Sequence, residues 1–504
     1  MKTPHTPGVY ISEQNAFPGS VVEVATAVPA FIGYTEKADS QGQSLRNVPC
    51  RISSFTEFQV YFGGAPLNHF RVTAIGKPAN PPAQPSEVRA FSAGGREYQV
   101  WIAQKREQQF LLYYSMCLFF DNGGGLCYVV SVGGYDSAIE AGDEKTGLLG
   151  GLNVLLQEQE PAIVAIPDAV HLPDEPSCIK VQQAMVQHCG EKTRSRVAIL
   201  DIYDGYKDRR DPAGDCVATF REDLEGNHLS YAAAYYPWLN ANLGERIGAS
   251  YANVAANDLI SVLTAEAKAG PEIVREIAQP TKAYTPEQLN RALTSASPAF
   301  SQIMKAAGDL LNVLPPSGAI AGVYSAVDVA RGVWKAPANV SLNSVVSPAV
   351  SISDKDQEDL NVDVPQGKSV NAIRSFAGLG TLVWGARTLD GNSQDFRYIS
   401  VRRTAIMLEQ SIRLAVEAYV FSDNVSITWN AIKSTIRNFL SGVWKQGGLA
   451  GATPDDAFVV FCGLGETMTQ QDIADGILRV RVLTAITRPA EFVEIALQVQ
   501  MRES

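Results

Sequence analysis

The run Ala162-Ile-Val-Ala-Ile166 is apolar at every position, and Val197-Ala-Ile-Leu-Asp-Ile202 nearly repeats it. Strands buried on both faces read this way, whereas a strand with one wet face alternates. A segment with helical spacing precedes each run, 148–159 before the first and 177–189 before the second. Helix and buried strand in alternation is the rhythm of an α/β layer with a parallel sheet. The middle of the chain is therefore expected to be α/β.

Outward from that stretch the character changes. Upstream, residues 1–20 read as an arm. Pro7-Gly8 leads into Val9-Tyr10-Ile11, a short strand-like run, and residues 15–20, with Pro18-Gly19, look like a flexible joint. Val28-Pro-Ala-Phe-Ile-Gly-Tyr34 opens the globular part, and the greasy run 110–120 is too short for a membrane span and reads as buried core. Gly123-Gly-Gly125 reads as a turn into the apolar 126–130. Between 65 and 110, Pro78, Pro81, Pro82 and Pro85 mark an insertion or irregular surface excursion; 241–312, Ala-rich with a helix start at Thr285-Pro286, reads as a helical insertion.

Downstream, residues 371–504 carry 13 Lys+Arg against 13 Asp+Glu, so the whole net charge of −11 lies upstream. Two long helices are expected at about 401–421 and 426–445, then a strand over 457–462. A short helix capped by Thr469 with Asp472 follows, and then alternation in which Leu478, Val480 and Val482 oppose Arg479 and Arg481. In the last run, 491–501, Val493, Ile495, Leu497 and Val499 alternate with Glu494, Ala496 and Gln498. That is a strand with period two. It could return to its own domain's sheet, or add to the open edge of a neighbour's. Periodicity alone does not choose.

With 504 residues the chain exceeds a single hydrophobic core, so two to four domains are expected. An acidic balance argues against a general nucleic-acid binder. The opening residues lack the apolar core of a signal peptide, and seven scattered cysteines without a CxxC read as reduced thiols in a cytoplasmically made protein.

Order and spacing of further segments carry a resemblance. Pro7-Gly-Val-Tyr-Ile-Ser-Glu13 and Val28-Pro-Ala-Phe-Ile-Gly-Tyr-Thr-Glu-Lys-Ala38 begin it. Tyr235-Tyr-Pro-Trp238, Pro315-Pro-Ser-Gly318, Ala321-Gly-Val-Tyr324 with Asp328, and Arg331-Gly-Val-Trp-Lys-Ala-Pro-Ala-Asn339 continue it. Asn371-Ala-Ile-Arg374, Val383-Trp-Gly-Ala-Arg-Thr-Leu389, Tyr398-Ile-Ser-Val-Arg-Arg403, residues 440–451 and Arg488-Pro-Ala-Glu-Phe492 complete it. In these the sequence resembles the phage tail sheath family, which includes the sheaths of phage-tail-like contractile injection systems. The tracts 65–110 and 241–312 do not share in it.

The resemblance implies an α+β multidomain fold. A C-terminal α+β core domain (366–504) faces an inner tube and is completed by terminal strands of neighbouring subunits, the N-terminal arm (1–20) and the strand 491–501. The middle domain (21–365) is α/β and faces outward with its insertions. The implied partners are further copies of the chain in stacked hexameric rings, the inner tube protein, baseplate and tail terminator proteins, and sheath paralogues. No cofactor, nucleic acid or membrane insertion is implied. Assembly would take place in the bacterial cytoplasm, and the product would be a phage tail or injection particle.

Within that frame, the stretch 426–445 places Trp429, Ile432, Ile436, Phe439 and Val443 on one helical face and contains Lys433, Arg437 and Lys445 but no acid. A solvated basic flank is one reading; a reversible electrostatic track against an acidic inner tube is the other. Arg402 and Arg403 are a weaker case of the same kind, since Glu409 and Glu417 share their helix.

Signals of catalysis are thin. Asp168, Asp201 and Asp204 follow the buried strands, where α/β enzymes place carboxylates, but Asp in that position also caps the next helix or turn. His171, Cys178, His188 and Cys189 fit no zinc spacing. Gly378-Leu-Gly380 lacks the third glycine of a dinucleotide loop, and Gly367-Lys-Ser369 has Val362 where a phosphate loop needs glycine. The expected function is a contractile sheath protomer. Its alternatives are an α/β hydrolase-like enzyme using the middle-domain aspartates and a static tube or shell protein.

Overall fold

The computed structural model describes residues 21–76, 87–281 and 284–492. They form two compact units, one spanning Thr26–Arg402 and one holding the described residues from Arg403 on together with 21–25.

In the larger unit the apolar runs become the middle of a nine-stranded sheet. Its order is Val340–Ser341, Gly380–Val383, Val370–Phe376, Ala232–Tyr236, Val197–Asp201, Ile163–Ala165, Pro29–Tyr34, Cys127–Gly133 and Cys50–Ile52. From Val370–Phe376 through Cys127–Gly133 every pairing is parallel; the outer pairings on both sides are antiparallel. Ile163, Val164, Ala165 and Ala232–Ala234 are all 0% exposed, as continuous apolar strands require helices on both faces. Helices Leu112–Asp121 and Ser317–Arg331 cover one face; Gly147–Val154 and Glu175–Gln187 cover the other. The run 110–120 is thus core, with Leu112 and Met116 through Phe119 fully buried.

Two glycines of the quoted segments are steric requirements. A Cβ at Gly318 or Gly322 would strike the backbone of helix Leu112–Asp121 at Ser115 and Phe119, so the two helices cross at backbone contact.

The tract 65–110 departs from the expectation of an irregular excursion. Phe70–Ala74, Val88–Ala93 and Arg96–Ile102 form a three-stranded antiparallel sheet with Arg96–Ile102 in the centre. The helices Ala256–Glu266 and Pro298–Leu311 of the second tract pack on it. Phe70, Val72, Tyr98 and Val100 supply the strand side of that core, Ile303 and Leu259 the helix side, each at most 5% exposed. The two tracts are therefore one lobe. Thr285 caps Pro286–Ala296 as expected, with Gln288 closing a capping box. Strands Val370–Phe376 and Gly380–Val383 belong to the large sheet, so the larger unit runs past 365 to Arg402.

In the smaller unit, helix Ser426–Lys445 packs on an antiparallel ribbon of Phe458–Phe461 with Arg481–Thr484. Ile432, Ile436, Leu440 and Val443 form its buried face, while Trp429 and Phe439 are half-buried. Thr469 caps Gln470–Ala474 with Asp472 reciprocating. Val24 N donates to Ser411 Oγ at 3.0 Å, fixing the described start of the chain to helix Ile399–Glu417.

Candidate assembly surfaces

Helix Ser426–Lys445 turns its buried face to the ribbon and leaves its bases on the flank. Lys445 and Arg437 are exposed and Lys433 half-buried. The flank is not bare. Lys433 Nζ lies 3.4 Å from Glu466 Oε2, and Arg437 Nη2 lies 3.0 Å from Asp455 Oδ1. Both acids come from beyond the helix, Asp455 from the short helix Pro454–Ala457 and Glu466 from a turn, which is why the helix sequence alone reads as uncompensated. Asp455 is 81% exposed, and a pair that open contributes at most about 1 kcal/mol, so it can exchange partners easily.

Arg402 and Arg403 are corrected by the structure: they are buried, at 7% and 4% exposure, and are not surface cations of this chain. Arg402 stacks its guanidinium 3.4 Å from the Phe396 ring centre and 4.2 Å from that of Tyr231, and donates to Ser230 Oγ at 2.8 Å. A planar cation between aromatic faces is an internal joint. The arm residues Val9, Tyr10, Ile11, Val493, Ile495, Leu497 and Val499 lie outside the described residues.

The carboxylates after the strands are anchors for backbone. Asp168 is fully buried; its Oδ1 accepts from Leu111 N at 2.6 Å and Leu112 N at 3.1 Å, its Oδ2 from Tyr34 N at 2.8 Å. It thereby ties the start of helix Leu112–Asp121 to strand Pro29–Tyr34, and a Cβ at Gly33 would collide with its Oδ2. Burial pushes its carboxyl up to about 6 although three N–H groups favour the anion. Asp201 accepts from Ser317 N at 2.8 Å at the start of Ser317–Arg331, and burial pushes it up to about 7. Both cap helices, though not the next ones in sequence. Asp204 has its own cations: Arg106 at 2.5 Å and Lys207. Burial works against its charge, yet those cations hold it below the usual carboxylate range.

His171, Cys178, His188 and Cys189 are buried in separate settings. His171 Nδ1 bonds to Gln109 O, and His188 Nε2 meets Arg196 at 2.9 Å. Among the described residues no group of three or more His, Cys, Asp or Glu could hold a metal. Lys368 sits against Arg221 O and Asp363, Gly378 lies in the hairpin turn after Val370–Phe376, and Gly380 opens the strand Gly380–Val383. Neither segment forms a loop followed by a helix N-terminus, as a phosphate cradle would.

Comparison with known proteins gives these surfaces a context. Residues 392–497 match the phage tail sheath C-terminal domain. Over 136 residues the chain is 26% identical to the tail sheath protein of Vibrio phage KVP40, a match spanning 27% of this chain and 20% of that protein. A chain of the anti-feeding prophage helical sheath in the contracted state superposes with a TM-score of 0.60 at 26% identity, covering 98% of this chain and 99% of that one. The contracted sheath complex of PVC, an extracellular contractile injection system, gives 0.58 at 25% over 99% and 98%. A chain of the six-fold symmetrised anti-feeding prophage baseplate gives 0.59 at 26% over 99% and 100%.

These likenesses define a class, the subunits of contractile sheaths. The family on which domain, relative and structures agree is that of the tail sheath proteins. Its members are structural proteins and not enzymes. Among the described residues no helix is long and apolar enough to cross a membrane.

Proposed function

We propose that this chain polymerises in stacked hexameric rings around an inner tube and contracts to drive that tube through a target envelope. The observation that carries this reading is the likeness, over 98–99% of the chain, to subunits solved in contracted sheaths. Assembly would occur in the bacterial cytoplasm, with the baseplate and tail terminator as end partners and sheath paralogues as possible neighbours in the lattice.

In this reading the smaller unit faces the tube through Lys433, Arg437 and Lys445, and the larger unit with its inserted lobe faces outward. The ribbon of Phe458–Phe461 and Arg481–Thr484 supports the linking role of the terminal arms. Two strands alone are marginal in water, and three of the four residues of Arg481–Thr484 are exposed. A neighbour's arm, through Val9–Ile11 or through Val493, Ile495, Leu497 and Val499, would widen that ribbon by backbone pairing.

Removing residues 1–13, or everything after Arg488, tests it. Each truncation is expected to leave a soluble body that forms no lattice in negative-stain micrographs, while the full chain forms tubes or rings. Full-length sheaths from either truncation would refute the linking role, and tubes of the full chain that never shorten would reduce the reading to a static tube.

A further inference from the structure

The larger unit holds a cavity of about 320 Å³ where the inserted lobe meets the ends of the sheet strands. That is the lower end of small-ligand pockets. Its wall is mixed: the rings of Phe110, Tyr114, Tyr206 and Trp238, the last two edge to face at 5.2 Å, stand beside Gln104, Lys105, Arg106 and Gln109. Leu310 and Leu311 close it from the end of helix Pro298–Leu311.

Two polar groups on this wall are deeply buried and only half used. Asn68 is 2% exposed; its amide nitrogen donates to Pro66 O at 3.2 Å and Tyr114 Oη at 3.0 Å, and its Oδ1 has no partner among the described residues. His171 is 8% exposed and bonds through Nδ1 to the Gln109 carbonyl, so that nitrogen carries the hydrogen. Burial first, and the Arg106 guanidinium second, push the imidazole down to about 3, which keeps it neutral. Its Nε2 is then a lone-pair acceptor, and it too has no partner among the described residues. Arg106 brings no unmatched charge, because Asp204 neutralises it at 2.5 Å. Glu87, also on the wall, accepts from Tyr206 Oη at 3.2 Å and adds acceptor character.

Unmet acceptors between aromatic faces select one chemistry. We propose that this cavity is a binding site for a small flat aromatic ring bearing an N–H donor, of the indole type, seated against the rings and donating its one N–H to Asn68 Oδ1 or to His171 Nε2. Both acceptors open onto the cavity, so a ligand that brings a donor to one of them gains that hydrogen bond together with the ring contacts on the wall. The site lies wholly within Thr26–Arg402 and does not depend on the sheath reading.

Calorimetric titration of the full chain with indole, and with benzofuran as the same shape without N–H, tests the proposal. Indole is expected to bind saturably at one per chain, with benzofuran about tenfold weaker, the scale of one lost hydrogen bond. One of His171→Phe and Asn68→Leu, the one that removes the accepting atom, should bring indole down to the benzofuran level, and the other should leave most of the difference in place. Leu311→Trp, which fills the cavity and leaves both acceptors in place, should abolish both; its unfolding midpoint controls for folding. No saturable indole binding, or equal affinity for the two probes, would overturn the proposal, as would indole binding unchanged in the folded Leu311→Trp variant.

Discussion

Asp168→Asn separates a scaffold role from a catalytic one and can be worked through from distances. The carboxylate satisfies three backbone N–H groups at 2.6–3.1 Å from a site with 0% exposure. An asparagine can aim its one oxygen at Leu111 and Leu112, but its NH₂ then opposes Tyr34 N–H in the central strand. That leaves a buried donor unpaired, at about 1–3 kcal/mol, and weakens two charge-assisted bonds by about 1 kcal/mol more. Against this, removing a buried charge recovers part of its desolvation. The balance is a loss of about 2 kcal/mol near neutral pH, or about 2–4 °C in midpoint for a large cooperative unit. The pH dependence gives a sharper signature. Burial raises the folded carboxyl to about 6, above the unfolded value of 3.8. The folded state therefore binds this proton more tightly, and stability is gained as pH falls through about 6 and lost as it rises. Asparagine does not titrate, so the gap between wild type and variant should widen by about 1 kcal/mol between about pH 7.5 and about pH 5. Denaturant unfolding of the full chain at the two pH values reads both quantities. A variant as stable as wild type at both would refute the anchoring role, and a gap that narrows on acidification would refute the burial argument.

Two further outcomes test the assembly reading. Reversing Lys433, Arg437 and Lys445 to Glu exchanges two open ion pairs for repulsions with Glu466 and Asp455, a change of about 1 kcal/mol that leaves the fold intact. It should weaken co-assembly with the inner tube, most visibly at low salt; normal co-assembly at every salt concentration would reject the track. Three residues inserted beside Pro18-Gly19 add roughly 10 Å of reach, at 3.3–3.6 Å each. Such sheaths should assemble extended but contract poorly, and contraction at the normal level would move ring-to-ring coupling to contacts between bodies.

How far the sequence can be read follows from how local each signal is. Helix 426–445 was legible to its ends because twenty residues of periodic apolar spacing belong to one segment. The buried strands around 163 and 197 were legible because burial on both faces erases alternation. The strands at 70–102 were not, because their apolar partners lie in helices some two hundred residues away and the prolines between them dominate the local text. Site chemistry fails in the same manner. Adjacent arginines read as surface charge, yet Arg402 is held by Phe396 and Tyr231, rings that no spacing rule connects to it. The flank of helix 426–445 read as wholly basic, and only the fold brings Glu466 and Asp455 against it. A charge row in sequence is thus an upper bound on the charge a surface presents. The tube contact, if electrostatic, rests less on the count of bases than on how readily two exposed acids exchange them for a partner's carboxylates.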